Sequence, residues 1–370
     1  MSERFWYRVT RKMLRAGPIP MEVNDGLINL VKEYANEDEA KFISHLKPKQ
    51  FYECDDLKSI TGLDDEPFKN QLDGVLKKAL LTEIPHKYKP GINVYFITSL
   101  LPGLTEFIFM RDDTSQTVKN IASIQEEMFK QIVRNTQENY DNLLPRFKSM
   151  PVFGRTIPVE KFVETQEEVV LPFQEVSKII ETKEIIGVGN CFCRHAKDLI
   201  GHNCERTDLR KTCFVFDDVG KFLIKQGFIE QVSQEEAKKI LKDCEEAGLV
   251  HKAFSKDTDK HIDREVITGM CNCCADCCEI LGNHQRGGTP IVDLTEYMAQ
   301  VNVDDCVGCG TCVEKCNLSI IELVDDIAVV EQDKCIGCGA CAYACPTSAM
   351  KLIKTELRRI FTPPPRIGSV

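Results

Sequence analysis

The chain has 370 residues, 19 cysteines and a formal net charge of -10. This length exceeds one ordinary domain, and the acidic balance excludes a surface that coats nucleic acid generally, leaving only a local basic face to read DNA. So many cysteines would mark a disulfide scaffold in a small secreted protein, but the start MSERFWYRVTRKML lacks the apolar stretch of a signal peptide, so the expected compartment is a reducing cytoplasm.

In chain order, the first element is a helix carrying Phe5, Trp6 and Tyr7 among Arg4, Arg8, Arg11, Lys12 and Arg15, cut short by Gly17, Pro18 and Pro20. We read it as packed on its own domain, with an interfacial or partner-binding helix as the alternative. Residues 22–110 show helical patterns followed by two β-rich runs, 81–88 and 92–99, joined through Lys89-Pro90-Gly91 as a hairpin. Asp55-Asp56 start a short helix through Ile60 and Gly62 ends it. Asp64-Asp65 start a second, with Phe68, Leu72, Val75, Leu76 and Leu80 at helical spacing. Helices followed by a hairpin suggest a winged helix, with this second helix in the recognition position.

A DNA-reading helix offers cations and amides to phosphates and base edges. This one nearly balances Asp64, Asp65, Glu66 and Asp73 against Lys69, Lys77 and Lys78. The wing holds Lys87 and Lys89 beside His86 and Tyr88, so docking to protein or dimerisation is favoured and DNA is the lesser alternative. The apolar patch over 96–104 is broken by Pro102 and Gly103, and no run reaches the roughly 20 apolar residues that span a bilayer. Any membrane association is expected to come through a partner.

Residues 111–150 read as one long helix with Ile121, Ile124, Met128, Ile132 and Val133 on one face, and Pro145, Pro151 and Pro158 mark a linker. A helix over 172–187, carrying Val176, Ile179 and Ile180, leads into Ile185-Ile186-Gly187-Val188-Gly189, a strand that delivers the chain to Cys191. Its Gly-x-Gly lacks the further spacing of a dinucleotide fingerprint. Ser233 with Glu236 forms a capping box for a helix through Ala247, ended by Gly248. Cys244 lies on that helix's apolar side, and we read both it and Cys54 as small buried hydrophobes.

Cysteine usage divides the chain, because Cys54 alone precedes residue 190. Nine cysteines form a central group: Cys191-Phe-Cys193-Arg194-His195, then Cys204 and Cys213, then Cys271-Asn-Cys273-Cys274-Ala-Asp-Cys277-Cys278. Thiolates at this density share a metal or cluster, and four-thiolate sites suit both zinc and iron–sulfur centres. One or two [4Fe-4S] clusters are favoured over zinc. Adjacent pairs such as Cys273-Cys274 do not easily face one small cluster, which leaves the number of centres open. His195 and His202 are ligands, hydrogen-bond donors or structural groups on this reading.

The most specific signal is a repeat. Cys306-Val-Gly-Cys309-Gly-Thr-Cys312-Val-Glu-Lys-Cys316 lies over Cys335-Ile-Gly-Cys338-Gly-Ala-Cys341-Ala-Tyr-Ala-Cys345-Pro346. Three cysteines at C-x2-C-x2-C spacing wrap one cluster while the fourth reaches the other cluster, so the repeats fold together. This assigns Cys306, Cys309, Cys312 and Cys345 to one [4Fe-4S] cluster and Cys335, Cys338, Cys341 and Cys316 to a second. Gly308, Gly310, Gly337 and Gly339 suit loops whose backbone approaches sulfide closely.

This segment resembles bacterial-type dicluster ferredoxins, with Asn317 where that family usually has proline and with Pro346 kept. With the winged-helix-like N-terminus, Cys-Phe-Cys-Arg-His and the Cys-Asn-Cys-Cys block, the chain as a whole resembles an iron–sulfur protein family of anaerobic bacteria and archaea. The resemblance implies electron transfer beside other redox enzymes. The expected fold class is α+β, in five parts: a winged-helix-like domain over 1–110, a helix and Pro-rich linker over 111–160, a cysteine-rich metal- or cluster-binding domain over 161–295, a dicluster ferredoxin-like domain over 296–355 and a tail over 356–370.

The expected function is a multi-cluster electron-transfer protein or subunit serving an anaerobic oxidoreductase, with no catalytic residue of its own. Its cofactors are two [4Fe-4S] clusters, plus one or two more or zinc in the central domain. Expected partners are redox proteins, in a larger oxidoreductase complex, or a second copy of the chain. Two alternatives belong to other classes: a redox-sensing winged-helix regulator, which would bind DNA in a salt-dependent way, and an iron–sulfur oxidoreductase acting on a small substrate.

Overall fold

A computed structural model describes residues 1–18, 22–150, 152, 154–160, 176–255 and 267–367. Pro20, Pro151 and the start of the helix expected from residue 172 lie outside them. The protein mixes helix and sheet and divides into two units. One comprises 1–128, 189–203 and 217–231, and the other 129–188, 204–216 and 232–370. No helix among the described residues is long and apolar enough to cross a membrane.

In the first unit, helix Glu3–Ala16 buries Trp6, Val9, Thr10, Met13 and Leu14, one stripe at helical spacing, and leaves Tyr7 exposed. Helices Asp25–Tyr34 and Glu37–His45 supply Leu27, Leu30, Val31, Phe42 and Ile43 to the unit's core. Each starts at an asparagine whose side chain accepts an otherwise orphaned helical N–H, from Leu27 and from Glu39. The short helix Cys54–Thr61 is capped by Glu53 with Asp56 and not by Asp55, and it ends at Gly62 in the left-handed region as expected. Helix Asp65–Lys77 buries Phe68, Leu72, Val75 and Leu76. A hairpin of Leu81–Pro85 and Asn93–Ile97 follows, in the register Leu81 opposite Ile97.

The single helix expected over 111–150 is two, Gln116–Glu138 and Tyr140–Lys148. Asn139 between them has φ -115° and ψ 23°, and its side-chain amide donates to the Asn135 carbonyl. That bond offers the backbone an alternative to the helical ladder.

The second unit is built on one sheet. Its strands lie in the spatial order Met350–Thr362, Ile291–Val301, Arg155–Ile157, Val250–Ser255, Ile267–Cys273, Lys211–Phe216 and Ile186–Asn190. The last of these carries the chain on to Cys191. Helices Val176–Glu181 and Gln234–Glu246 cover it through Val176, Ile179, Ile180, Ala237 and Leu241, packed with Ile157, Val188, Phe214, Phe216 and Met270. The capping box of Ser233 and Glu236 is present at the head of the second helix. Three strands are tied by a buried ion pair, Lys252 with Asp293, whose carboxylate also accepts from the Thr156 N–H and hydroxyl. A carboxylate that is fully buried needs these donors to offset its lost hydration.

Residues 302–349 leave and rejoin this sheet at one place. Val301 pairs with Met350 and Asn302 N–H donates to Ala349 O at 2.8 Å, so the ladder of Ile291–Val301 with Met350–Thr362 closes the segment that holds both cysteine repeats.

Candidate iron–sulfur and metal centres

The two repeats build two loops of like form. In each, three cysteines surround a short helix start, Thr311–Lys315 or Ala340–Tyr343, and glycines adopt positive φ. Gly308 has φ +67° and a side chain there would meet Asp326 O at 2.7 Å. At Gly337, φ +65°, a Cβ would lie 2.3 Å from Tyr297 O, so only glycine lets the loop reach the sheet.

Around the first centre, Cys306, Cys309 and Cys312 line one pocket together with Cys345, which comes from the other repeat. Its walls are apolar, including Val301, Val307, Leu323, Ala328 and Met350. Four thiols in a largely apolar wall, with the hydroxyls of Thr311 and Thr347 beside them, fit an iron–sulfur cluster better than a hard cation. Cys309 is exposed. The Thr311 hydroxyl and N–H hold its thiol below the ordinary range. At Cys345 burial works upward but is outweighed by N–H groups of Met350 and Thr347 and by the Thr347 hydroxyl.

The second centre is deeper. Burial raises the thiols of Cys316, Cys338 and Cys341, that of Cys338 to about 12. Cys316, from the first repeat, lies in the electrostatic reach of Cys335, Cys338 and Cys341. Cys335 Sγ accepts N–H bonds from Ala299 at 3.3 Å and Gly337 at 3.4 Å. Such bonds stabilise negative charge on sulfur, the lever by which a protein tunes a cluster's potential.

The central cysteines separate into sets that cut through the adjacent pairs. Strand Ile267–Cys273 puts Cys271 and Cys273 on one face, and Asn272 on the other, where it bonds Thr212 O and His251. The neighbouring strand pairs Phe214 with Met270. Carried on by one residue, that register sets Cys213 across from Cys271. The Cys271 thiol contacts those of Cys213 and Cys273, and Cys273 contacts Cys278. The neighbouring thiols and burial push Cys271 well above its ordinary range. Cys278 Sγ accepts from the N–H groups of Ile280 and Leu281 at 3.3 and 3.4 Å. Cys213, Cys271, Cys273 and Cys278 thus form one run of four.

Cys204, Cys274 and Cys277 form the other set, buried with Cys244 and Leu249. Cys244 is therefore a core residue, as read from the sequence, but its neighbours are cysteines, whereas Cys54, read the same way, is exposed at the first position of its helix. Cys191 and Cys193 belong to the first unit, at the start of helix Phe192–Leu199, as do His195 and His202. His195 is buried, and its Nδ1 lies 2.8 Å from Phe109 O.

Two residues escaped the sequence reading, and a third, Asn317, entered it only as a replaced proline. Thr311 and Thr347 each follow a cysteine by two positions, a spacing visible in both repeats. Asn317 is buried at 3 % exposure. Its side chain accepts from Ala275 N–H at 3.0 Å and donates to Gly248 O at 3.0 Å, while its carbonyl accepts from Gln285 Nε2. A proline in its place has no side-chain amide to make the first two bonds. The loop after Cys316 is thereby bonded to the residue after Cys274.

Comparison with known proteins finds one match. Residues 328–351, which contain the second cysteine repeat, match the 4Fe-4S binding domain family. No curated protein and no solved structure matches the chain. With the thiol pocket and the matched segment together, the C-terminal part carries a 4Fe-4S binding domain.

Proposed function

We propose that the chain is a multi-cluster electron-transfer protein serving an anaerobic oxidoreductase. Cys306, Cys309, Cys312 and Cys345 hold one [4Fe-4S] cluster, and Cys335, Cys338, Cys341 and Cys316 a second. Cys213, Cys271, Cys273 and Cys278 hold a third. The observation that carries this reading is the exchange of the fourth cysteine, Cys345 lining the pocket of the first repeat. A [4Fe-4S] cluster, when bound, takes up and releases single electrons.

The chain's own residues set the conditions. Apolar walls line the first pocket, and N–H groups of Ala299, Gly337, Ile280 and Leu281 favour the more negative state. The exposed Cys309 makes the first centre the place of exchange with a partner. Around it Val303, Val307, Leu323 and Val324 are exposed, with Asp304, Asp305, Asp325 and Asp326. That combination suits a redox protein with an apolar contact rimmed by cations. For the winged-helix-like segment, docking is preferred to DNA because Lys89 of the hairpin is paired with Glu53.

The test is iron and acid-labile sulfide per chain after anaerobic purification, with EPR on reduction. Three clusters require about twelve iron atoms. Four or fewer, with no signal on reduction, would remove the proposal.

A further inference from the structure

Cys204, Cys274 and Cys277 differ from every other cysteine set in how closely they converge. Their three Sγ atoms all lie within 4.8 Å of one another, and Cys204 Sγ stands 3.8 Å from Cys274 Sγ. Among the described residues, no three thiols of the two ferredoxin centres or of the Cys213 set meet that condition. In the Cys213 set each thiol touches the next without three of them converging.

The spacing discriminates because of where thiolates attach. A tetrahedral zinc ion with bonds of about 2.3 Å sets its thiolates about 3.8 Å apart. In a four-iron cube each thiolate sits on its own iron at a separate corner, so the sulfurs stand wider. The close set matches the edge of a single ion's tetrahedron.

A carboxylate stands at the edge of the set, beside Cys277. Asp276 Oδ2 lies 3.5 Å from Cys277 Sγ, and it accepts the N–H of Glu205, the residue after Cys204, at 2.9 Å. The carboxylate is oriented from both sides of the set. Leu249, Leu209 and Ala247 pack around the thiols as an apolar shell. Buried thiolates in such a shell need a cation to offset their charge.

We propose that Cys204, Cys274 and Cys277 bind one zinc ion as a structural site. It clips the segment at Cys204 to the loop 274–277, and so fixes the adjacent Cys273 and Cys278 for the neighbouring set. The proposal rests on the iron–sulfur reading only in leaving the other cysteines to iron.

The test uses the full chain, purified anaerobically from iron-replete cells, with zinc and iron counted together. Zinc K-edge absorption should give one zinc bound by three sulfurs and one oxygen or nitrogen. In Cys274→Ala zinc should fall from about one per chain to below about 0.1, while the EPR signals of the ferredoxin centres stay unchanged. The wild-type absorption spectrum stands even if the variant fails to fold. Absence of zinc from the wild type, zinc bound by four sulfurs, or a loss of iron in place of zinc from Cys274→Ala each overturns the proposal. Failure of the electron-transfer reading would show separately, as missing EPR signals with zinc intact.

Discussion

Asn317→Leu isolates the bond between the ferredoxin loop and the central cysteines. Leucine keeps much of the volume but strands two groups, the Ala275 N–H and the Gly248 carbonyl, that now face the amide at 3.0 Å. An unsatisfied buried group costs about 1–3 kcal/mol. Ala275 and Gly248 are only half-buried, so water replaces part of the loss and the lower half of that range applies to each. The sum is about 2–4 kcal/mol of local stability, or roughly 30- to 1,000-fold in the population of an opened loop. Metal release to a chelator, followed anaerobically, reads that opening directly. Release from the central cysteines should accelerate by at least about 30-fold in Asn317→Leu. A rate within about twofold of the unsubstituted chain would refute the reasoning, because it would mean that the loop at Ala275 is held without the amide.

Two other substitutions test the ferredoxin centres. Gly337→Ala places a methyl 2.3 Å from Tyr297 O, a backbone atom in a long ladder, at a φ that costs alanine about 1–2 kcal/mol. We expect iron to drop by about four atoms per chain, measured after anaerobic purification. Thr311→Val and Thr347→Val remove hydroxyl partners of Cys309 and Cys345. Less stabilisation of negative sulfur favours the oxidised state, so the first centre's potential should fall by tens of mV in a redox titration monitored by EPR, at about 59 mV per tenfold for one electron.

The cysteine repeats were legible in the sequence because their geometry is local, set by spacing within a dozen residues. Local chemistry also exposed the capping box at Ser233 and the hairpin turn at Lys89-Pro90-Gly91. The division of Cys273 from Cys274 was not legible in the same way. It depends on Cys213, contributed by a strand paired with Ile267–Cys273, and on Cys204, far away in sequence. The i, i+2 placement of Cys271 and Cys273 was a usable sign of one strand face, but it did not say what lay across from it. Asn317 showed the same limit. The missing proline was visible, while its bonding partners, Ala275 and Gly248, are 42 and 69 residues away.

The closure of residues 302–349 by a single rung, Val301 with Met350, bears on how such a chain can be assembled and elaborated. Once the ladder exists, the intervening segment is a long excursion with joined ends. The entropy of joining them grows only as the logarithm of length, about 0.6 kcal/mol for each doubling. A hairpin tip can therefore be exchanged for a whole electron-carrying cassette at small cost to the sheet, with strand order unchanged.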